Sequence, residues 1–233
     1  MQFGPSIRNN FSGISSIIDA SNVGSYPGSG STFYDLISTT NSTLVGSPTF
    51  YSPSPLANGG DHIYLNGTTQ SINMGSTPSN GYSVTISVWI YFDYYRNFGI
   101  FGKGTFNQPL SGFYFDVSTN TGNQFNNRPY LFYPTSTTGQ DGFFCATTIP
   151  IGTWCNYTFY KSNAVYAIYL NGVVDGERAM SYNDNMTGNL TMGLTKTNAF
   201  GQCRISQVVT WNVALSASQI LAYYNATKFR YGL

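Results

Sequence analysis

Acid–base chemistry on this chain would have to be assembled from nine carboxylates and one histidine. The single glutamate is Glu177, and the eight aspartates (Asp19, Asp35, Asp61, Asp93, Asp116, Asp141, Asp175, Asp184) sit far apart, half of them beside Gly or Asn. Glycoside hydrolysis needs two carboxyl groups a few ångströms apart. No two aspartates share the spacing of two that would put both on one face of a strand. Glu177 follows Asn171-Gly172 and reads as a loop residue, and the aspartates read as turn and cap residues. His62, next to Asp61, reads as a surface pair, whereas a nucleophile needs a base held against Ser or Cys. No glycine-rich phosphate loop precedes a helix. The chain is not expected to be an enzyme.

Binding chemistry is better represented. Sugar sites in all-β proteins combine an aromatic ring for C–H stacking with amide and charged hydrogen-bonding groups. Tyr94, Tyr95, Arg96 and Asn97 have that mixture, and so do Asn126, Asn127, Arg128 and Tyr130. Tyr and Arg are also enriched where subunits meet. Contact with a neighbouring subunit is the first reading for both segments, and glycan binding the second.

Cys145, Cys155 and Cys203 form an odd set without metal-ligand spacing. Either Cys145 and Cys155 face each other across adjacent strands as a disulfide, or all three are small buried hydrophobes. Asn-x-Ser/Thr sequons occur at Asn10, Asn41, Asn66, Asn156, Asn185, Asn189 and Asn225. About five would arise by chance at this composition, so they establish no glycosylation.

The elements that position these residues follow from composition and period. Only 8% of the 233 residues are charged and 17% are aromatic, with 25 glycines between them. Aromatic residues suit a pleated, half-buried surface and glycines supply its turns. The ten basic residues are scattered and the net charge is +1, so no basic patch is present to displace counterions from a nucleic acid. No run of 18 apolar residues would span a membrane, and the start Met1-Gln2-Phe3-Gly4-Pro5 lacks the pattern of a secretory signal.

Val84 to Phe92 alternates, with Val84, Ile86, Val88, Ile90 and Phe92 on one face and Thr85, Ser87, Trp89 and Tyr91 on the other. Val165 to Leu170 is apolar on both faces and runs into Asn171-Gly172, a type I′ hairpin signal. Residues 206–211 read as the last strand. Ser216 with Gln219 forms a capping box for one short C-terminal helix, with Ile220, Tyr223 and Tyr224 on one face. Residues 1–12 read as an N-terminal arm or edge segment and 13–233 as a single domain.

In this order the segments resemble a family. Thr85-Ile86-Ser87-Val88-Trp89-Ile90-Tyr91-Phe92, Ile100-Phe101-Gly102-Lys103-Gly104, Ile149 to Trp154 with Tyr169-Leu170-Asn171-Gly172, and Val209 to Ser216 are similar to successive pieces of laminin-G-like jelly rolls. The resemblance implies an all-β fold, a two-sheet antiparallel jelly-roll sandwich of the concanavalin A-like kind. Glucanases of this fold carry two glutamates and an aspartate along one strand, a set this chain lacks. Calcium in such jelly rolls is held by loop aspartates and backbone oxygens, although no segment here resembles a calcium loop.

Gly4-Pro5-Ser6-Ile7, Ser25-Tyr26-Pro27-Gly28-Ser29-Gly30, Tyr34-Asp35-Leu36 and the tail Tyr224 to Leu233 are similar to segments of virus structural proteins. That likeness reaches both ends, which suggests a complete natural protein. It implies a location on the virion surface, as a capsid decoration or fibre component, with other virion proteins or copies of itself as partners. The alternative is a lectin or receptor-binding module for host-surface glycans.

Overall fold

The computed structural model describes residues 12–56, 60–79, 81–95, 98–105, 111–118, 126–163, 165–179, 182, 184, 186–195 and 199–233. All but the last residue of the segment read as an N-terminal arm lies outside this set, as do Arg96 and Asn97.

The strands form two antiparallel sheets. Across the first, the order is β14 (Val173–Ala179), β13 (Val165–Leu170), β12 (Trp154–Lys161), β7 (Val84–Tyr91), β16 (Gln202–Trp211), β5 (His62–Asn66) and β4 (Thr49–Tyr51). The long β16 pairs with β5 along Gln202–Ile205 and with β1 (Ile14–Asp19) farther on, so β1 and β5 lie end to end on one edge of it. Across the second sheet, the order is β11 (Gln140–Phe144), β10 (Arg128–Pro134), β9 (Ser111–Ser118), β8 (Phe98–Thr105), β15 (Leu190–Met192), β6 (Ser71–Asn73), β3 (Ser42–Val45) and β2 (Thr32–Phe33). The expected two-sheet jelly-roll sandwich is present.

Alternation explains how the layers meet. Val84, Ile86, Val88 and Ile90 of β7 point into the main core with Ile63, Leu65, Cys155, Tyr157 and Phe159. Facing rings join the sheets: Phe113 of β9 stacks on Phe159 of β12 at 3.7 Å, and Tyr133 of β10 stacks on Tyr166 of β13 at 4.7 Å. Strands β9 and β10 therefore lie over β12 and β13. The β13–β14 hairpin turns at Asn171 and Gly172, whose φ values of 52° and 82° are the pair a type I′ turn requires.

The outward face of β7 is buried as well, because the C-terminal segment covers it. Helix α1 (Ala217–Thr227) starts at Ser216 with the expected capping box: Gln219 N donates to Ser216 Oγ and Ser216 N to Gln219 Oε1. Ile220 and Tyr223 are buried and Tyr224 is half-buried. A 3-10 turn, Lys228–Tyr231, follows. Trp89 lies against Tyr224 and Tyr231 at 5.7 and 4.1 Å and donates through Nε1 to Thr227 Oγ1 at 3.1 Å. Full burial of such a ring contributes about 3 kcal/mol. Asp19 locks the tail in place, its two carboxylate oxygens each accepting from Arg230 at 2.9 Å.

Several sequence expectations are corrected here. Glu177 lies in strand β14, exposed, and not in a loop. A bulge opposite Ile168/Tyr169 leaves Asp175 out of the pairing, and its Oδ1 accepts from Thr147 N and Oγ1. The two acids at spacing two thus differ in environment, one buried and one exposed. The last strand begins at Gln202 and not at residue 206. Cys145 follows β11 in one sheet while Cys155 sits in β12 of the other, and Cys145, Cys155 and Cys203 are all free, buried thiols. Of the sequons, Asn156 is fully buried, with its amide donating to Ser87 Oγ, which closes it to glycosylation.

Two buried lysines pin the loops at one end of the sandwich. Lys161 Nζ donates to the carbonyls of Gly81, Tyr82 and Asp184, and Lys103 Nζ to those of Ser76, Thr77 and Gly188. An ammonium surrounded by three carbonyl oxygens there does the tethering that a bound cation does in other loops. Burial pulls both groups down to about 8.

Candidate functional site

The outward face of the first sheet is not covered everywhere. Beyond the helix, one cross-strand row runs through Trp154 of β12, Tyr91 of β7, Arg204 of β16, Tyr64 of β5 and Thr49 of β4, each directly opposite the next. Directly opposite side chains lie close enough to interact on a pleated face. The next pair, Tyr51 opposite His62, extends the same surface. Period-two alternation puts His62 with Tyr64, and Gln202 with Arg204, on the outward side while Ile63, Leu65, Cys203 and Ile205 face the core.

Arg204 organises this surface. Its guanidinium lies 5.1 Å from the ring centre of Tyr64, 5.7 Å from Tyr51 and 5.8 Å from Tyr91. Each such cation–ring contact contributes about 0.5–2 kcal/mol, depending on desolvation. Nε and Nη2 donate to Asp93 Oδ1 at 3.2 and 2.9 Å, and Nη1 donates to His62 Nε2 at 3.3 Å. Gln202 bridges two tyrosines, accepting from the Tyr94 hydroxyl through Oε1 and donating to the Tyr64 hydroxyl through Nε2. Burial raises the Tyr64 hydroxyl above its ordinary value, with Tyr94 and Asp93 adding to the shift.

His62 is fully buried, contrary to the expectation of a surface His-Asp pair. Its ring packs against Tyr51 and Trp154 at 5.2 and 5.7 Å. Burial pushes its pKa below the ordinary value. Asp93, expected in turn duty, instead holds Arg204 in an ion pair. Two buried polar atoms at the cluster have no hydrogen-bond partner, the acceptor Asp93 Oδ2 and the donor Trp154 Nε1. Buried polar groups are nearly always satisfied, and both of these atoms are enclosed, so they mark where ordered water belongs.

The predicted residues divide between two places. Tyr94 joins this cluster through Gln202, and Tyr95 beside it is about half exposed. Asn126, Asn127, Arg128 and Tyr130 lie at the start of β10, in the second sheet. There Tyr114, Phe132, Tyr130 and Phe144 make a continuous ring-to-ring file, with centres 4.4, 4.2 and 4.4 Å apart. Gly142 permits that file, because a Cβ on it would come within 2.4 Å of the Tyr130 ring. Sequence reasoning missed Tyr51, His62, Tyr64, Asp93, Gln202 and Arg204. Among the described residues, no three of His, Cys, Asp and Glu gather to hold a metal ion.

The sequence profile of the concanavalin A-like lectin/glucanases superfamily matches residues 66–221, more than half of the chain. No curated protein matches it. Domain 4 of AbnA, an extracellular GH43 arabinanase from Geobacillus stearothermophilus solved in complex with arabinotriose, is similar with a TM-score of 0.66 at 16% identity, over 90% of this chain and 97% of that one. The binding domain of Paraclostridial Mosquitocidal Protein 1 is similar at 0.69 and 14%, over 92% of this chain and 52% of that one. Trypanosoma rangeli sialidase is similar at 0.64 and 10%, over 94% of this chain and 34% of that one. This chain thus spans about half of the toxin's binding domain and about a third of the sialidase. At these identities the likeness is one of fold, and the profile match over more than half of the chain gives the family: the chain belongs to the concanavalin A-like lectin/glucanases superfamily.

Proposed function

We propose that the chain is a non-catalytic carbohydrate-binding module whose glycan lies on the Tyr51–Tyr64–Tyr94 surface. The observation that carries this reading is the Arg204-centred row. It fixes partly exposed tyrosine rings at the outward face, with Tyr64 and Tyr94 joined through Gln202. Aromatic faces stack on sugar C–H groups, and the Tyr64–Gln202–Tyr94 chain supplies hydroxyl and amide partners. Support comes also from the similar arabinanase domain, which holds arabinotriose, and from the similar toxin binding domain.

A glycan array followed by calorimetry tests it. Reproducible binding to one sugar class, weakened at least tenfold by Tyr64→Ala and by Tyr94→Ala without turnover of the sugar, is the expected result. Absence of binding, or release of cleaved sugar, overturns it.

A narrower part of the proposal places the module on a virus particle, as a decoration or fibre component that adheres to host glycans. It rests on the likeness of the terminal segments to virus structural proteins. Mass spectrometry of purified particles that finds no stoichiometric amount of the chain would end it.

A further inference from the structure

Acidic glycans are held through a carboxylate, which an arginine meets with two parallel N–H groups of its planar fork. The Nε–Nη2 edge of Arg204 is already taken. Nε and Nη2 both donate to Asp93 Oδ1 and Nη1 to His62 Nε2, and the guanidinium carbon lies 5.7, 5.1 and 5.8 Å from the ring centres of Tyr51, Tyr64 and Tyr91. To recruit that edge, an acidic sugar would have to displace Asp93 from a pair whose side chains are only 16% and 23% exposed.

The remaining charges point the same way. Asp61 lies beside His62, its Oδ2 accepting from Ser52 Oγ at 2.9 Å, and Asp93 keeps a second oxygen without a partner. Among the described residues the cluster thus sets one guanidinium against two carboxylates, with a buried imidazole that is neutral near pH 7. A site one charge negative repels carboxylate and sulfate groups. Tyr64, Tyr94 and Gln202 add neutral donors and acceptors.

From this arrangement we infer that the site selects neutral, hydroxyl-rich oligosaccharides and rejects sialylated, uronic and sulfated ones. The inference rests on the carbohydrate-binding reading above and names its ligand class. Asp93 is a specificity-determining residue because it neutralises the arginine and occupies its Nε–Nη2 edge.

The test compares neutral probes (arabinohexaose, xylohexaose and cellohexaose) with acidic ones (sialyllactose and hexagalacturonate) by calorimetry on the full chain. The expected result is that at least one neutral probe binds and that both acidic probes bind at least tenfold more weakly. Asp93→Asn removes one negative charge and loosens Arg204, so the gap between neutral and acidic probes narrows severalfold. Asp61→Asn, which leaves the Arg204–Asp93 pair intact, narrows it less, and keeps the test valid should Asp93→Asn fail to fold. Acidic probes binding as well as neutral ones overturns the inference while leaving a lectin standing. An Arg96→Ala variant then shows whether Arg96, next along the chain, supplied the cation. No binding of either class removes the carbohydrate reading itself, and the inference with it.

Discussion

Arg204 Nη1 donates to His62 Nε2 across 3.3 Å. An arginine can only donate, so Nε2 must carry a lone pair and the proton must sit on Nδ1, which faces the Gly60 carbonyl at 3.1 Å. The contact therefore assigns the tautomer and requires a neutral ring. It also ties the buried core of the site to its tyrosine surface, because Tyr51 packs on both His62 and Arg204.

Acid should unlock this arrangement. Around the imidazole stand Arg204, Asp61, Asp93, Tyr51, Trp154 and Ser54, and burial outweighs the acids in holding its pKa below 6.5. The unfolded chain takes up its proton as pH falls through 6.5, before the folded chain does. Stability is then lost below pH 6.5, down to the folded value, at up to about 1.4 kcal/mol per pH unit. Thermal unfolding between pH 7 and 5 should show this loss in the wild type and a smaller one in His62→Gln. Equal slopes in the two proteins would show that His62 is not the group responsible.

How much of this was readable from the chain depends on local pattern. Strand β7 and the β13–β14 hairpin were legible because period two and Asn171-Gly172 are local signals. The helix start was legible because Ser216 and Gln219 satisfy each other within four residues. Arg204 was not. Its strand was read from residue 206 because a bulge between Ile205 and Gln207 breaks the period of two just where the polar half begins. Its meaning arises only in register with Tyr91 and Tyr64, residues separated by more than a hundred positions in sequence. Glu177 reads as a loop residue because it follows Asn171-Gly172, and the bulge that leaves Asp175 out of the pairing breaks the alternation that would mark β14 as a strand. The buried Lys103 and Lys161 were unreadable because lysine is almost never fully buried.

The tail that covers Trp89 depends on a long-range ion pair. Arg230 reaches both oxygens of Asp19, which also accept from Ser21 N and Gln207 Nε2. The Asp19 side chain is 1% exposed and that of Arg230 14%. Removing one partner leaves the other charge buried and unpaired, a loss of about 3–5 kcal/mol. Asp19→Asn should therefore lower stability by that amount in denaturant unfolding and shift Trp fluorescence toward longer wavelength as the tail loosens. Asp19→Leu with Arg230→Met should recover part of the loss, because no charge is then stranded. An unchanged midpoint in Asp19→Asn would show that stacking on Trp89 alone secures the tail.

Alkaline conditions set two groups of buried residues against each other. Burial pushes the thiols of Cys145, Cys155 and Cys203 above 9, and the hydroxyls of Tyr157, Tyr166, Tyr223 and Tyr231 above 10. The unfolded chain ionises these groups first, so their contribution is complete below pH 9 and is lost as pH rises beyond it. Lys103 and Lys161, pulled down to about 8, act in the opposite sense: the folded chain releases their protons before the unfolded chain does, and stability rises between pH 8 and 10.5. Each group contributes a slope of at most about 1.4 kcal/mol per pH unit. The lysines therefore win only between pH 8 and 9. Above pH 10 the seven thiols and hydroxyls outnumber them, and unfolding should be steep. A stability profile with its maximum near pH 9 is expected. Lys103→Met and Lys161→Met should abolish the rise below that maximum, and thiolate absorbance should appear only with unfolding. A thiolate signal near pH 9 in the folded protein would mean that the cysteines are less enclosed than the sandwich requires.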